Sequence, residues 1–275
     1  MKRRTFLANS SKLGLALSFP LSMNAKTFAA DMSSELTSLT ALELSAAIKQ
    51  KQVSCVEVMQ AYLRRIHKYN PSYNAIVALA EDDDLLGQAR TADDELARGE
   101  YRGWMHGMPH AVKDLVAVKG MPFTSGSLMY KDRIAEQDSA MVARIRSAGA
   151  IFIGKTNTPE FGLGSQSYNP VYGATGSAYN PLLTSGGSSG GAGSGLGTQM
   201  LPVADGSDMM GSLRNPGAFN NVIGYRPSTN VMSGRDASQR PLSTSGPMGR
   251  NTADTIQLLK TIAVKDVGDD FSPMN

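Results

Sequence analysis

The apolar positions in the first third of the chain recur at helical spacing. Thr40-Ala41-Leu42-Glu43 reads as a capping box, in which a Thr oxygen takes an early main-chain N–H and the Glu reaches back. Leu44, Ala47 and Ile48 then keep one face apolar. Ser54-Cys55-Val56-Glu57 repeats the device ahead of Val58, Ala61, Tyr62 and Ile66, and Pro71 is expected to stop that second helix. Asn74 to Leu79 predicts a short strand. Asp82 to Arg98 predicts a charged amphipathic helix, closed by Gly99. Beyond residue 107 strands and helices alternate: Pro109 to Val118 is strand-like around Lys113, Ser139 to Ala148 is a helix, and Ile151-Phe152-Ile153 is a buried strand. This alternation predicts an α/β layered domain. Neither an internal repeat nor a linker divides the chain.

Composition changes this picture in three places. Glycine is frequent, 28 of 275 residues, and seven of those glycines lie between Gly186 and Gly197. The stretch TSGGSSGGAGSGLG could be a flexible linker. It is flanked by strand-like sequence with no shift in composition, so a local device allowing close backbone approach is the preferred reading. One cysteine, Cys55, rules out a disulfide framework or a cysteine zinc site, and three histidines leave little for a metal centre. The net charge of +3 is set by residues 1–30, which hold five basic residues and no acidic one. Without them 22 basic residues face 24 acidic ones, so no nucleic-acid partner is expected.

Residues 1–30 read as an export signal. Arg3-Arg4 with Phe6-Leu7 precedes an apolar stretch from Leu13 to Leu21, and small residues lead to Ala29-Ala30. The paired arginine is of the twin-arginine kind, and a periplasmic destination is expected. The apolar run is too short to span a bilayer, so no stable membrane anchor is expected.

Several motifs carry candidate chemistry. Gly149 to Thr156 fits the P-loop pattern, but its centre, Ala150-Ile151-Phe152-Ile153, is a strand and not a phosphate-cradling loop. Gly186-Gly187-Ser188-Ser189-Gly190 fits a nucleophile elbow. No histidine follows His110, which excludes the α/β-hydrolase order of Ser, acid and His. A His-first order of the chymotrypsin kind stays formally open, but it needs an all-β double barrel, which the helical pattern contradicts. Otherwise the base for a serine here would be another group. A buried, neutral lysine is the next candidate, and Lys113 stands in an apolar strand. A strand-edge lysine in water is its alternative. Asp208-Met209-Met210-Gly211-Ser212-Leu213-Arg214 holds a second serine 24 residues on. Its main-chain N–H groups could form an oxyanion hole, and Asp208 and Arg214 could pair. A polar turn between strands is the plainer alternative.

Together these pieces resemble the amidase signature family. Gly107 to Asp114, Gly154 to Phe161, Gly186 to Gly191, Asp208 to Pro216 and Gly224 to Ser228 occur in the family's order. The resemblance runs from about residue 40 to about residue 260. It implies a layered α/β/α domain with a mixed, twisted central sheet, and a Ser–cis-Ser–Lys triad. Ser212 would be the nucleophile, and Ser188, after a cis peptide from Gly187, would pass its proton to Lys113. Met209, Met210, Gly211 and Ser212 would supply oxyanion N–H groups, with Ser189, Asp208 and Arg214 in support. The implied activity is hydrolysis of carboxylic amides through an acyl-enzyme, without metal or organic cofactor, on a small-molecule amide. One alternative is an inactive remnant or non-catalytic module; another is membership of an amidotransferase complex. Assembly into a homo-oligomer is left open. Met210 departs from the family's usual Gly-Gly-Ser and is expected to need room near the acyl pocket. The chain is also shorter than family members. Residues 31–275 are therefore expected to form the N-terminal catalytic part of an incomplete domain, with an uncovered sheet edge and poor stability or activity in isolation.

Overall fold

The computed structural model of the chain describes residues 35–228, 231 and 242–263. The expected signal and the tail from Val264 to Asn275 lie outside the described residues.

Helix α1, Ala41–Lys49, begins with the expected capping box at Thr40 and Glu43. Helix α2, Cys55–Tyr73, begins with its counterpart at Ser54 and Glu57. Distant carboxylates finish both N-termini. Asp254 accepts the N–H groups of Ala41 and Leu42, and Asp93 those of Cys55 and Val56. Such placement takes up donors that a helix leaves unpaired. Pro71 does not stop α2, which continues to Tyr73. A proline removes one N–H, yet here the last turn still closes through Asn74 N–H to Asn70 O at 2.7 Å. Asn74 then takes the left-handed conformation (φ 48°) that ends the helix. Helix α3, Asp82–Ala97, ends as expected before Gly99, whose φ is +87°.

Two three-stranded sheets lie side by side. In the first, β1 (Ile76–Val77) pairs antiparallel and β2 (Pro109–Lys113) parallel with the central β3 (Ile151–Thr156). The expected strand at residues 74–79 shrinks to two residues, because Ala78 turns to positive φ. The strand around Lys113 ends at that lysine. Helix α4, Ala140–Ser147, connects β2 to β3 and is capped by Ser139. The hydrophobic centre of the P-loop pattern is buried strand, as its composition predicts.

After β3 come two small ribbons. One pairs β4 (Tyr168–Asn169) with β5 (Gly173–Ala174), the other β6 (Gly176–Ser177) with β7 (Asn180–Thr184). The glycine-rich stretch then folds as helix α5, Gly190–Gly197, nearly all of it buried. The second sheet is antiparallel, in the order β8 (Val203–Asp208), β10 (Thr244–Gly249), β9 (Ile223–Gly224). Helix α6, Arg214–Asn220, lies between β8 and β9, and α7, Thr252–Ile262, packs on β10. The fold is the layered α/β/α arrangement with a mixed central sheet. Its core joins both halves: Leu44, Tyr62, Leu85, Val112, Ile153 and Leu258 are buried in one cluster.

Candidate active site

β2 and β8 are neighbours, and α5 packs against both. Where they meet, Lys113 enters from the end of β2. None of its surface reaches solvent. Its Nζ lies 2.7 Å from Ser188 Oγ, 2.8 Å from Ser189 Oγ and 3.0 Å from Ser207 Oγ. Burial pushes the amine down to about 7, against the pull of Asp205 and Asp208 toward the charged form. The water-facing alternative for this lysine is thereby excluded.

Ser188 and Ser189 stand just before α5, and the peptide from Gly187 into Ser188 is cis. Ser167 braces the turn on three sides. Its N–H donates to Gly186 O, its hydroxyl donates to Ser188 O, and that same oxygen accepts from Gly190 N–H. The turn needs its glycines for space. A Cβ on Gly187 would come within 2.6 Å of Gln166 N, and one on Gly191 within 2.2 Å of Asn157 N. The glycine cluster is thus a packing device, as its flanks suggested.

The hydroxyls around Nζ differ in what remains free. Ser189 donates to Ser207 O at 3.3 Å and accepts from Ser207 N–H. It meets Lys113 as an acceptor. Among the described residues, Ser188 Oγ has the lysine as its only hydrogen-bond partner. A neutral amine offers two N–H donors and one lone pair, so Ser188 is free to donate to it.

The turn after β8 carries Ser212. Asp208 organises this turn: its carboxylate accepts from the N–H groups of Gly211 (2.8 Å) and Leu213 (3.2 Å). It also takes a two-pronged contact from Arg214, and one from Arg226 at 3.0 Å. Arg226 reaches Asp208 O as well. Burial pushes the Asp208 carboxyl up. The Arg214 bonds and the two N–H groups outweigh it and hold the group well below the usual carboxylate range. Ser212 is half-buried, and its carbonyl accepts Ser189 N–H at 3.2 Å. The two serine segments are therefore joined through the main chain. Among the described residues the Ser212 hydroxyl forms no hydrogen bond, to Ser188 or to any other group.

One expectation for this turn needs correction. The Gly211 N–H is committed to Asp208, so it is not an open oxyanion donor. Met209, Met210 and Ser212 keep N–H groups without a hydrogen-bond partner among the described residues. Met210 is exposed in this chain. Ser207 and Asp205 were not singled out from the sequence. Their signal is the two-residue alternation of β8, which puts both on one side of the strand. Among the described residues no group of three or more His, Cys, Asp or Glu gathers to hold a metal ion. No helix among them is long and apolar enough to cross a membrane.

A strand-end lysine, a serine pair ahead of a glycine-rich helix and a third serine in a carboxylate-held turn define an amidase-type constellation. The amidase family model matches residues 57–274, and the chain belongs to that family, the amidase signature enzymes. It is 37% identical over 238 residues to a glutamyl-tRNA(Gln) amidotransferase subunit of Acidothermus cellulolyticus, covering 86% of this chain and 47% of that protein. It is 36% identical over 238 residues to indoleacetamide hydrolase of Bradyrhizobium diazoefficiens, covering 84% and 45%. Among solved structures, native peptide amidase from Stenotrophomonas maltophilia superposes with a TM-score of 0.76 at 30% identity, covering 84% and 49%. The chain spans about half the length of the curated relatives it matches.

Proposed function

We propose that the chain carries the reacting half of a hydrolase for carboxylic amide C–N bonds. The observation that carries this reading is the buried amine of Lys113, 2.7 Å from Ser188 Oγ, which burial pushes down to about 7.

In this reading Ser212 Oγ attacks the amide carbonyl carbon. Its proton passes to Ser188 as the Ser188 proton passes to Lys113 Nζ. The carbonyl π-pair moves onto oxygen, and the N–H groups of Met209, Met210 and Ser212 are the donors available to that oxyanion. When the tetrahedral species collapses, the C–N bond breaks and the leaving amine takes the proton held by Lys113. An ester on Ser212 remains. Water adds to it by the same proton path in reverse roles, which releases the carboxylic acid. For this to work the Ser212 hydroxyl must turn toward Ser188 when substrate arrives. Its lack of any hydrogen bond leaves it free to do so.

Two features favour small-molecule amides. One relative is an indoleacetamide hydrolase, and a peptide amidase has the same backbone arrangement. A second reading follows from the 37% identity to the amidotransferase relative, in which the same serine chemistry would work within a complex. The export signal we assign to residues 1–30 argues for the hydrolase. Recovery of the protein from the cytoplasm with an intact N-terminus would argue for the complex.

The test is covalent labelling by a fluorophosphonate probe. Wild-type chain should be labelled, and Ser212→Ala should lose all labelling. Ser188→Ala should slow it by about 10²–10⁴-fold. Labelling that persists in Ser212→Ala removes Ser212 as the nucleophile. A folded wild-type chain that is never labelled favours the non-catalytic alternative.

A further inference from the structure

The pairing of β2 with β3 is not even up to Lys113. His110 faces Phe152 and Ala111 faces Gly154, so β3 carries the extra residue, Ile153, and the register of the stretch that ends at Lys113 is shifted by one. One carboxylate from the neighbouring sheet brackets the slipped stretch. Asp205 accepts the main-chain N–H of Lys113 at Oδ2, 3.3 Å away. Its Oδ1 lies 3.1 Å from His110 Nε2. A carboxylate only accepts, so the imidazole is the donor. Neither side chain reaches solvent. His110 Nδ1 has no hydrogen-bond partner among the described residues. The ring is therefore oriented by Asp205 and by a T-shaped contact with Phe152, 6.0 Å between centroids.

The charged groups facing Lys113 are few. From β8 come Asp205 and Asp208. Lys155 of β3 stands by Asp114 instead, 3.9 Å away. Helix α5 brings no charge, and the segment before it brings only serine hydroxyls. On its own strand there is His110. Asp208 is already met by the guanidinium groups of Arg214 and Arg226. Asp205 accepts from the His110 ring and the Lys113 N–H and meets no guanidinium, so it acts on the amine beside Asp208 with less of its charge already paired.

Resting on the reading of Lys113 as base, we propose that Asp205 and His110 are positioning residues. The carboxylate clamps the end of β2 across the register shift so that Nζ reaches Ser188, and its charge, shared with His110, sets how firmly the amine holds a proton. Both Asp205 and Asp208 oppose the burial that weakens the lysine as a proton acceptor. An amine drained of its proton too completely would be a poor base, and one that kept it would be no base at all.

The experiment is a titration that needs no turnover. The full chain is labelled with ¹³C at lysine Cε, and the Lys113 resonance is identified by its loss in Lys113→Met. The wild-type midpoint is expected at about 7. Asp205→Asn keeps the shape and removes the charge, so the midpoint should fall by about one unit. An unmoved or raised midpoint in folded Asp205→Asn overturns the proposal. If that variant does not fold, His110→Leu provides the second reading. It keeps the carboxylate but removes the donor that shares its charge, and the midpoint should rise. A fall, or no change, overturns the proposal. Ser212-dependent labelling of the wild type is measured beside it. Labelling with an unmoved midpoint keeps the hydrolase and discards the clamp; a moved midpoint without labelling does the reverse.

Discussion

Lys113 on β2 and Lys155 on β3 occupy adjacent strands of one sheet, and neither is exposed to solvent. Burial pushes both amines down, to about 7 and about 8. Their partners differ. Lys155 donates to Val116 O and stands 3.9 Å from Asp114 Oδ1, so it meets oxygens that only accept. Lys113 meets three hydroxyls, which accept and also donate. Removal from water makes either lysine a better source of a neutral amine. Only the one ringed by hydroxyls has a proton within reach to take. A shifted amine therefore marks a site when the groups around it carry exchangeable protons, and a structural anchor when they do not.

The largest expected effect separates these roles directly. Lys113→Met should cut labelling of Ser212 by about 10²–10⁴-fold, the usual scale for removing a general base. Its fold should survive, because Ser189 keeps its bonds to Ser207 and the groups that lose the lysine are neutral hydroxyls. Lys155→Met should do the opposite. It strands the Asp114 carboxyl in the interior and should lower unfolding free energy in urea by about 3–5 kcal/mol. Labelling per folded molecule should stay near the wild-type rate. Equal losses of labelling in the two variants would erase the distinction.

A smaller effect sharpens it through pH. A lysine in the unfolded chain holds its proton up to about pH 10.4. Each buried lysine has a lower value when folded, so between the two values the unfolded chain binds more protons. Stability must therefore rise with pH across that window and fall as pH drops toward the folded value. The window opens at about 7 for Lys113 and at about 8 for Lys155. Each contributes a slope of at most about 1.4 kcal/mol per pH unit. Urea unfolding at several pH values should show most of the slope between pH 7 and 8 lost in Lys113→Met and most of it kept in Lys155→Met. A slope in that interval undiminished in Lys113→Met would mean that another group carries it.

Much of this was legible in the chain, and the reason is local. The capping boxes at Thr40 and Ser54 declare themselves within four residues. Lys113 could be picked out because an apolar strand gives a charged side chain no ordinary place. The absence of any histidine after His110 removed the commoner serine chemistries. What stayed hidden depends on residues far apart in sequence. Asp205 and His110 are separated by 95 positions, and each alone looks like an ordinary polar residue in a strand. Asp208 and Arg214 were readable as a pair. The diversion of the Gly211 N–H to that carboxylate was not, since it depends on how tightly the turn winds. Pro71 misled for a related reason: the cost of a lost N–H depends on whether the last turn has another bond to close it.

The smallest effect, at the Lys113 midpoint, tests whether the two lysine regions are independent. Asp114 follows Lys113 directly but lies in the turn after β2, and its carboxylate has partners of its own. Thr124 holds Asp114 there, its hydroxyl donating at 2.5 Å and its N–H at 3.2 Å. Burial raises the Asp114 carboxyl, and the Thr124 hydroxyl and Lys155 work against that rise. Thr124→Val removes the hydroxyl bond and keeps the volume. Unfolding free energy should drop by about 1.5–3 kcal/mol, the worth of one hydrogen bond to a charged group. The Lys113 resonance should titrate at its wild-type midpoint, because Asp205 and Asp208, and not Asp114, are the charges that act on the amine. If that midpoint moved with Thr124→Val, the two lysine regions would be electrostatically one site, and the contrast between the two lysines would be a matter of degree.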